Sequence, residues 1–248
     1  MSYKEFKNEC ASEIEVQSKD TELQALSHHW INRAQSLKYS YHFEWLGRPI
    51  IQYPQDIVAM QEIIWSVQPD LIIETGIAHG GSLIFSASML ELNAACGGSQ
   101  DTEVLGVDID IRAHNREAIE AHPLFKRISM IQGSSVAPEI IEQVKAKAAG
   151  KRRVLVCLDS NHTHDHVLAE LEAYAPLTSV GSYCVVFDTI IEDMPAEMFP
   201  DRPWGPGNNP KTAVRAYLKH HPEFEINAGI YHKLLITVAP DGYLRRIR

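Results

Sequence analysis

A glycine-rich segment between an apolar strand pattern and an apolar helix pattern constrains the fold of this chain most strongly. The segment covers residues 74–82 and reads E-T-G-I-A-H-G-G-S. Residues 70–73 before it favour a strand, and residues 83–90 after it favour a helix. Because glycine has no Cβ and accepts positive φ, such a turn admits a close approach to the backbone. The following helix offers unpaired N–H groups, so the segment predicts a ligand-binding turn.

A carboxylate at the end of the next strand pattern extends this turn into a predicted nucleoside site. Residues 104–108 form a second apolar run that ends in Asp108. In a doubly wound sheet such an acid lies beside the first loop, where it can bind both hydroxyls of a ribose. The alternative is an ordinary glycine-rich turn that binds no ligand.

The spacing of the glycines distinguishes two kinds of nucleoside cofactor. A dinucleotide fingerprint requires G-x-G-x-x-G, whereas this chain has Ala78 at the second glycine position. Glu74 opens the loop, and its negative charge disfavours a nearby pyrophosphate. The pattern E-x-G-x-x-x-G-G-S instead resembles the first motif of class I S-adenosylmethionine-dependent methyltransferases. Their cofactor carries a sulfonium and an amino group, which suit an acidic loop.

Strand and helix patterns alternate along most of the chain. Strands are predicted at residues 71–74, 104–108, 128–131, 154–159 and 183–188, and helices at 54–67, 82–93, 115–121, 138–149, 165–175 and 211–220. Repeated β-α units with continuous apolar strands indicate a parallel sheet covered by helices on both faces. Two further apolar runs, 230–238 and 243–247, flank a Pro-Asp-Gly turn and predict a closing hairpin. The predicted fold class is therefore α/β, a Rossmann-like doubly wound sheet that is mostly parallel with an antiparallel C-terminal edge.

The first fifty residues combine helix-like patterns with closely spaced aromatic side chains. Trp30, Tyr39, Tyr41, Phe43 and Trp45 have the spacing of packing residues in a core or an interface. We therefore predict an N-terminal helical extension over residues 1–50 and a single domain over residues 51–248. The aromatic residues would also suit an interface in a homo-oligomer.

Three predicted strands end in an aspartate, namely Asp108, Asp159 and Asp188. Ligands in open α/β sheets bind beyond the carboxyl ends of the strands. The strands that end in Asp159 and Asp188 are expected to be neighbours, and their carboxylates repel each other unless a cation lies between them. A hard ion with oxygen ligands, Mg²⁺ before Ca²⁺ or Mn²⁺, fits that need and would lower the pKa of a substrate hydroxyl. Alternatively, each aspartate caps the helix that follows it or pairs with a nearby lysine or arginine.

The segment after Asp159 contains three histidines. His162 lies three residues beyond Asp159, close enough to accept a proton from an activated hydroxyl. Because histidine is the usual general base near neutral pH, Asp159 and His162 are the predicted catalytic residues. His162 and His166 could instead form a zinc pair, but no third soft ligand is evident, and the segment could also simply cap a helix. His164 and His166 are predicted to be surface residues.

A segment rich in proline and glycine, residues 194–210, follows the fifth predicted strand. Trp204 and the glycines after it suit a lid over the pocket, and Asn208 and Asn209 could bind polar groups of a substrate. A stiff surface connector is the alternative. Glu192 and Asp193, just before this segment, are candidates for a third metal ligand.

Composition disfavours several classes of partner and location. The 248 residues carry a formal net charge of −9, which disfavours binding to a nucleic-acid backbone. The four cysteines show no C-x-x-C pairing, so neither a disulfide framework nor a zinc knuckle is predicted. We find no apolar signal core and no span of membrane length, and we expect a cytoplasmic protein.

Taken together, the motifs resemble those of the cephalosporin hydroxylase family. The segments that carry the resemblance are residues 69–76, 80–82, 106–110, 132–135 and 158–162. Despite its name, that family has the fold of a class I S-adenosylmethionine-dependent methyltransferase. It includes O-methyltransferases for cephem and rhamnosyl hydroxyls, and it is similar to macrolide-sugar O-methyltransferases that use Mg²⁺.

The resemblance implies roles for individual residues. Asp159 and Asp188 would hold the metal, and His162 would be the base. Relatives commonly place a Glu-Asp pair at the end of strand five, whereas this chain has Phe187 before Asp188. Metal-free transfer with His162 alone as base therefore stays open. The residues implied to surround the cofactor are Glu74, Gly76, Gly80, Ser82, Asp108 and Ser135.

The sequence thus predicts an S-adenosylmethionine-dependent O-methyltransferase that acts on a hydroxyl of a small sugar-containing or secondary-metabolite substrate, with Mg²⁺ assistance. A nicotinamide-dependent oxidoreductase is the enzyme alternative, and Ala78 disfavours it. A catalytically degenerate scaffold is the non-enzyme alternative, and Phe187 is its best support. An iron-dependent hydroxylase would need two histidines and one carboxylate at a clear spacing, which we do not find.

Overall fold

The computed structural model describes residues 1–248, in which nine α-helices and nine strands follow one another. The N-terminal elements are α1 (Tyr3–Gln17), α2 (Thr21–Gln35), β1 (Phe43–Trp45) and β2 (Arg48–Ile50). The central elements are α3 (Pro54–Val67), β3 (Leu71–Thr75), α4 (Gly81–Ala95), β4 (Glu103–Asp108), α5 (Ala113–Glu120), β5 (Ile128–Gln132), α6 (Pro138–Ala148), β6 (Val154–Leu158), α7 (His164–Tyr174) and β7 (Tyr183–Val186). The C-terminal elements are α8 (Pro210–Tyr217), β8 (Phe224–Ile226), α9 (Ala228–Leu234) and β9 (Tyr243–Arg246). None of the helices combines the length and the apolar character that a membrane crossing requires.

Seven strands form the central sheet in the order β5-β4-β3-β6-β7-β9-β8. Strands β3 to β7 run parallel, whereas β9 is antiparallel to both of its neighbours. The strand order reverses between β3 and β6, so the carboxyl ends of these two strands flank the crevice where ligands bind in open α/β sheets. The predicted α/β fold, a doubly wound and mostly parallel sheet with an antiparallel C-terminal edge, is confirmed.

The central strands are buried on both faces, which explains their continuous apolar sequences. Leu71, Ile72 and Ile73 of β3 are fully buried and point alternately to opposite faces of the sheet. Ile72 packs in a core with residues of α3 and α4, whereas Leu71 and Ile73 pack in a second core with residues of α6, α7 and α8. The sheet is therefore the middle layer of three, and only the ends of its strands remain for a site.

The C-terminal edge differs from the predicted hairpin. Residues 230–238 were expected to pair with residues 243–247, but α9 occupies residues 228–234, and β9 pairs instead with β7 and with the short strand β8. An apolar run of this length does not distinguish a strand from a helix by its period. Helix α9 packs against α1 and α3 outside the sheet. The prediction of a strand at 230–238 is therefore wrong, although the antiparallel edge itself is present.

The first fifty residues contain a β-hairpin in addition to the predicted helices. Strands β1 and β2 pair around Leu46 and Gly47, whose φ angles of 47° and 83° suit a tight two-residue turn. The aromatic side chains of this region pack within the chain. Trp30 and Phe43 lie edge-on to Tyr39 with ring centroids 5.0 and 5.1 Å apart. These contacts show that the aromatic residues pack inside the protein. The division of the chain at residue 50 stays a prediction.

A buried carboxylate joins helix α3 to the C-terminal segment. Asp56 is fully buried, and burial raises its pKa to about 6. Its Oδ1 accepts hydrogen bonds from the hydroxyl of Thr237 and, at 2.8 Å, from that of Tyr243. Its Oδ2 accepts from the backbone N–H of Val238 at 2.9 Å. One side chain thereby fixes a segment without regular structure against α3.

We expect Asp56→Ala to lower the free energy of unfolding by about 3–5 kcal/mol, because three buried donors lose their acceptor. Chemical denaturation at neutral pH measures this change. Asp101→Ala, at an exposed position, is the control and should stay within about 0.5 kcal/mol of the wild type. A similarly small effect of Asp56→Ala would show that packing alone holds the segment.

Candidate active site

Gly76 lies where the first βα turn meets the end of a neighbouring strand. It follows β3 directly and has a φ of 92°, which favours glycine. A Cβ at this position would lie 2.1 Å from the carbonyl oxygen of Asp159. The backbone N–H of Asp159 donates to the carbonyl of Thr75 at 2.9 Å. The close approach that glycine allows here is thus made by the backbone of Asp159.

An arginine from the β1–β2 hairpin fastens the glycine-rich turn. Arg48 donates to the carbonyl of His79 from Nε at 3.0 Å and from Nη2 at 2.6 Å. Its Nη2 also donates to Oδ1 of Asn115 at 3.0 Å, and Asn115 donates to the carbonyl of Ala78 at 2.9 Å. Sequence reasoning missed both side chains, because neither belongs to a motif and they are 67 residues apart.

The start of helix α4 provides unsatisfied N–H groups beside this turn. Gly80 is the N-cap residue, with a φ of 83° and no side chain to accept a hydrogen bond from the first turn. The helix macrodipole favours negative charge at this end. Ser82 lies in the first turn and lines a cleft that the glycine-rich turn borders. The end of α4 is therefore open to an acceptor group of a ligand.

Asp108 lies at the end of β4 beside the glycine-rich turn, as predicted. Its Oδ2 accepts hydrogen bonds from the backbone N–H groups of Ile77 at 2.8 Å and Ala78 at 3.2 Å. Its Oδ1 accepts from the N–H of Asp110 at 3.0 Å. Each carboxylate oxygen can accept a further bond, and the half-buried side chain borders a cavity of about 330 Å³. The geometry fits an acid that binds the hydroxyls of a ribose.

Ser135 belongs to a polar network with a histidine and a buried glutamate. Nε2 of His166 lies 3.1 Å from the hydroxyl of Ser135 and 3.2 Å from that of Ser160. Ser160 also donates to Oε1 of the fully buried Glu170 at 2.6 Å. Asp108, Ser135 and His166 line one cavity of about 90 Å³. His166, predicted to be a surface residue, is partly exposed and also takes part in this network.

Glu74 is a buried acid at the end of β3. Only 5% of its surface is exposed, and its Oε1 accepts a hydrogen bond from the hydroxyl of Ser86 at 2.8 Å. Burial raises the pKa of Glu74 to about 7, and the nearby hydroxyls of Ser86 and Ser82 oppose this shift. Its Oε2 has no hydrogen-bond partner of acceptable geometry. An unpaired buried acceptor of this kind suits a ligand with N–H donors.

Asp159, His162 and Asp188 come together beyond the ends of β6 and β7. One ligand atom from each residue lies within 4.8 Å of the others, which is close enough for one metal ion. Nδ1 of His162 lies 3.2 Å from Oδ2 of Asp188. All three half-buried residues line a cleft of about 220 Å³ together with Gly76 and Ser82. The predicted metal and base residues therefore share a cleft with part of the predicted cofactor site.

The electrostatics of this cluster favour a cation. Burial, followed by the charges of Asp188 and Glu74, raises the pKa of Asp159 well above its usual range. The amide Nε2 of Gln52 donates to Oδ2 of Asp159 at a long 3.4 Å, and no positively charged side chain pairs with this carboxylate. Sequence reasoning missed Gln52, which belongs to no motif and reaches Asp159 from the segment after β2.

The two acids proposed as a third metal ligand are engaged elsewhere. Glu192 accepts a hydrogen bond from the N–H of Gly207 at 2.7 Å and lies 3.7 Å from Nη1 of Arg215. Asp193 forms an ion pair with Lys211 at 2.6 Å. Phe187, which precedes Asp188, is 7% exposed and apolar. The third ligand-type group near the two aspartates is therefore His162.

The proline- and glycine-rich segment contacts the cleft through its tryptophan. The ring of Trp204 lies edge-on to that of His162, with centroids 4.8 Å apart. Asn208 accepts a hydrogen bond from the N–H of His164 at 2.9 Å, and the buried Asn209 caps α8. His164, predicted to be a surface residue, is partly exposed, and its Nδ1 lies 2.8 Å from the hydroxyl of Thr212. The segment thus borders the site, and both asparagines form hydrogen bonds with other groups of the protein.

The fold and this edge of the sheet define an α/β enzyme with a nucleoside cleft and an adjoining cluster of two acids and an imidazole. The profile of the family described as Rhamnosyl O-methyltransferase/CmcI matches residues 37–247, and the chain belongs to this family. The Rhamnosyl O-methyltransferase of Mycobacterium bovis (strain BCG / Pasteur 1173P2) is 34% identical over 194 residues, which cover 77% of this chain and 73% of that protein. The Rhamnosyl O-methyltransferase of Mycobacterium leprae (strain TN) is 32% identical over 205 residues, which cover 82% of each.

Solved structures of methyltransferases share the fold. A CmcI structure described with Mg and SAM has a TM-score of 0.57 and 19% identity, and the match covers 84% of this chain and 78% of that one. An O-methyltransferase from Bacillus cereus in complex with SAH has a TM-score of 0.52 and 14% identity, with 80% and 81% covered. The predicted family and enzyme class, an S-adenosylmethionine-dependent methyltransferase, are confirmed. The nicotinamide and scaffold alternatives gain no support.

The raised pKa of Glu74 predicts a pH-dependent stability of the free protein. Its folded pKa of about 7 exceeds the ordinary value of 4.5, so the folded state binds more protons than the unfolded state between these values. The contribution of Glu74 to stability therefore falls as pH rises from about 4.5 to about 7, by roughly 3 kcal/mol. Glu74→Gln should gain stability relative to the wild type over this range, as denaturation at several pH values will show.

Glu44→Gln, at an exposed position of β1, is the matched control for this measurement. A constant difference between Glu74→Gln and the wild type across the pH range would contradict the raised pKa.

Proposed function

We propose that this enzyme transfers the methyl group of S-adenosylmethionine to a hydroxyl of a small sugar-containing substrate or secondary metabolite, with the help of a divalent metal ion. The observation that carries the proposal is the cluster of Asp159, His162 and Asp188, which shares one cleft with the glycine-rich turn. The Rhamnosyl O-methyltransferase relatives, at 34% and 32% identity, support a sugar hydroxyl as acceptor.

We place the cofactor along the carboxyl ends of the neighbouring strands β4, β3 and β6. Asp108 would bind the ribose hydroxyls, since its carboxylate lies beside the turn and retains acceptor capacity. Glu74 would face the cationic methionine end, because a buried carboxylate oxygen without a partner favours a positive donor. The residues proposed to surround the cofactor are Glu74, Gly76, Gly80, Ser82, Asp108 and Ser135.

His162 is the proposed base for the acceptor hydroxyl. Its Nδ1 lies 3.2 Å from Asp188, and an Nδ1–H that donates to this carboxylate leaves Nε2 unprotonated. Nε2 would then take the proton of the hydroxyl as its oxygen attacks the methyl group in line with the departing sulfur. The protein mainly aligns the two reactants, and Trp204 restricts the position of the imidazole ring.

Asp159 and Asp188 are the proposed metal ligands. One oxygen of each lies within 4.8 Å of the other, and burial, followed by the charges of Asp188 and Glu74, raises the pKa of Asp159 well above its usual range. Both features fit a hard divalent ion such as Mg²⁺. When bound, such an ion supplies a Lewis acid that lowers the pKa of the acceptor hydroxyl.

Metal-free transfer with His162 alone is the second candidate. It is favoured by Phe187, an apolar residue beside Asp188, and by the engagement of Glu192 and Asp193 in other contacts. Both candidates use the same cleft and the same base, and they differ in whether Mg²⁺ is required.

We expect Asp159→Asn to lower turnover by at least about 10²-fold, because it removes the charge that activates the acceptor. Its affinity for S-adenosylmethionine should remain close to that of the wild type. Transfer of a labelled methyl group to a panel of rhamnosyl glycosides measures the rate, and Asp165→Asn, at an exposed position of α7, is the control. Unchanged turnover in Asp159→Asn would remove its catalytic role, and full wild-type activity in EDTA would favour metal-free transfer.

We expect His162→Ala to lower turnover by roughly 10²–10⁴-fold, the usual contribution of a general base. Added imidazole should restore part of the lost rate, since it can accept the proton in the space left by the side chain. The exposed His114→Ala serves as the control. A full rate in His162→Ala, or a lost rate that imidazole does not restore at any concentration, would contradict the role as base.

A further inference from the structure

A small cavity opens beneath the glycine-rich turn and adjoins the larger cleft. Its volume is about 30 Å³, which is the space of one water molecule or one ammonium group. Gly76, Ser82, Asp159 and Gln52 line both the cavity and the cleft. The remaining wall is largely apolar and includes Phe187. A ligand in the cleft can therefore place one small group into this cavity.

Three residues that line the cavity each have one buried side-chain atom without a hydrogen-bond partner. Gln52 is 8% exposed and Glu74 is 5% exposed, and both line the cavity. The atoms without a partner are Oε1 of Gln52, Oε2 of Glu74 and Oγ1 of the buried Thr75. Because almost all buried polar atoms in folded proteins are paired, these unpaired acceptors around one cavity indicate an occupant with several donors.

The orientation of the Gln52 amide follows from its other neighbour. Its Nε2 donates to Oδ2 of Asp159 at 3.4 Å. The reverse orientation would place the amide oxygen against a carboxylate, and the two acceptors would repel each other. Oε1 is therefore the end of the amide that remains for a ligand.

We propose that Gln52 binds the α-ammonium group of S-adenosylmethionine in this cavity, beside Glu74, which the proposed function already places at that end of the cofactor. An ammonium group has the required size and offers three N–H donors for these acceptors. Gln52 then contacts the cofactor through Oε1 and Asp159 through Nε2, so one amide joins the cofactor site to the acceptor-activating acid. This inference rests on the proposed function and adds a cofactor-binding residue from outside the glycine-rich motif.

The test compares ligands with and without the amino group. S-adenosylhomocysteine and its des-amino analogue are titrated calorimetrically into the wild type, into Gln52→Met and into Gln55→Met. Methionine keeps the length of the side chain but removes the amide. Gln55 is the matched control, because its Oε1 is also buried and without a partner but it lines neither the cavity nor the cleft.

We expect Gln52→Met to bind S-adenosylhomocysteine about 10- to 100-fold more weakly than the wild type, as for the loss of one hydrogen bond to a charged group. The des-amino analogue should bind Gln52→Met and the wild type equally, and Gln55→Met should match the wild type for both ligands. The double cycle of residue and amino group isolates this contact from any general effect of the substitution.

Two results would overturn the inference while leaving the proposed function in place. Wild-type affinity of Gln52→Met for S-adenosylhomocysteine would show that Gln52 does not contact the ammonium group. An equal loss for both ligands would show that Gln52 supports the cleft without binding that group. Failure of the wild type to bind S-adenosylhomocysteine or S-adenosylmethionine would instead overturn the proposed function itself.

Discussion

The close contact between the glycine-rich turn and the end of strand β6 is the constraint on which the rest of the site depends. Gly76 and the backbone of Asp159 meet at the point where the strand order reverses, and a side chain at position 76 would collide with the Asp159 carbonyl. The hydrogen bond from Asp159 to Thr75 fixes the same spacing. This contact fixes the distance between the turn proposed to bind the cofactor and the acid proposed to act on the acceptor. In-line transfer between two bound molecules requires such a fixed distance.

Negative charge is concentrated at this edge of the sheet. Glu74, Asp159 and Asp188 lie at or just beyond the ends of three adjacent strands, and the pKa values of the first two are raised by burial. Burying unpaired carboxylates costs free energy of folding, so cations that bind there recover part of it and stabilise the folded state. In the proposed function, the sulfonium and ammonium groups of the cofactor and a divalent ion would be such cations. Their binding would therefore stabilise the folded protein.

Much of the fold and of the site could be predicted from the sequence, because the parallel strands are continuous apolar runs that end in polar residues. Asp108, Asp159 and Asp188 lie at the strand ends that this pattern indicates. His162 lies in the short loop after β6, with its Nδ1 3.2 Å from Asp188. The sequence does not reveal the β1–β2 hairpin, whose strands of three residues carry little periodicity.

Contacts between distant segments could not be predicted either, because they produce no local sequence pattern. The bond from Gln52 to Asp159 spans 107 residues and that from Arg48 to Asn115 spans 67, and neither leaves a local pattern. Glu192 and Asp193 are close to Asp188 in sequence, but ion pairs with Arg215 and Lys211 on α8 hold them elsewhere. The predicted strand at residues 230–238 is wrong because an apolar run of this length does not distinguish a strand from a helix by its period.

The central claim is that the cleft at the strand reversal is a site for S-adenosylmethionine. Calorimetric titration of the purified protein with S-adenosylmethionine, and separately with NAD⁺, tests it most directly. We expect binding of S-adenosylmethionine at one site per chain and no binding of NAD⁺. Binding of NAD⁺ without binding of S-adenosylmethionine, or of neither ligand, would contradict the account.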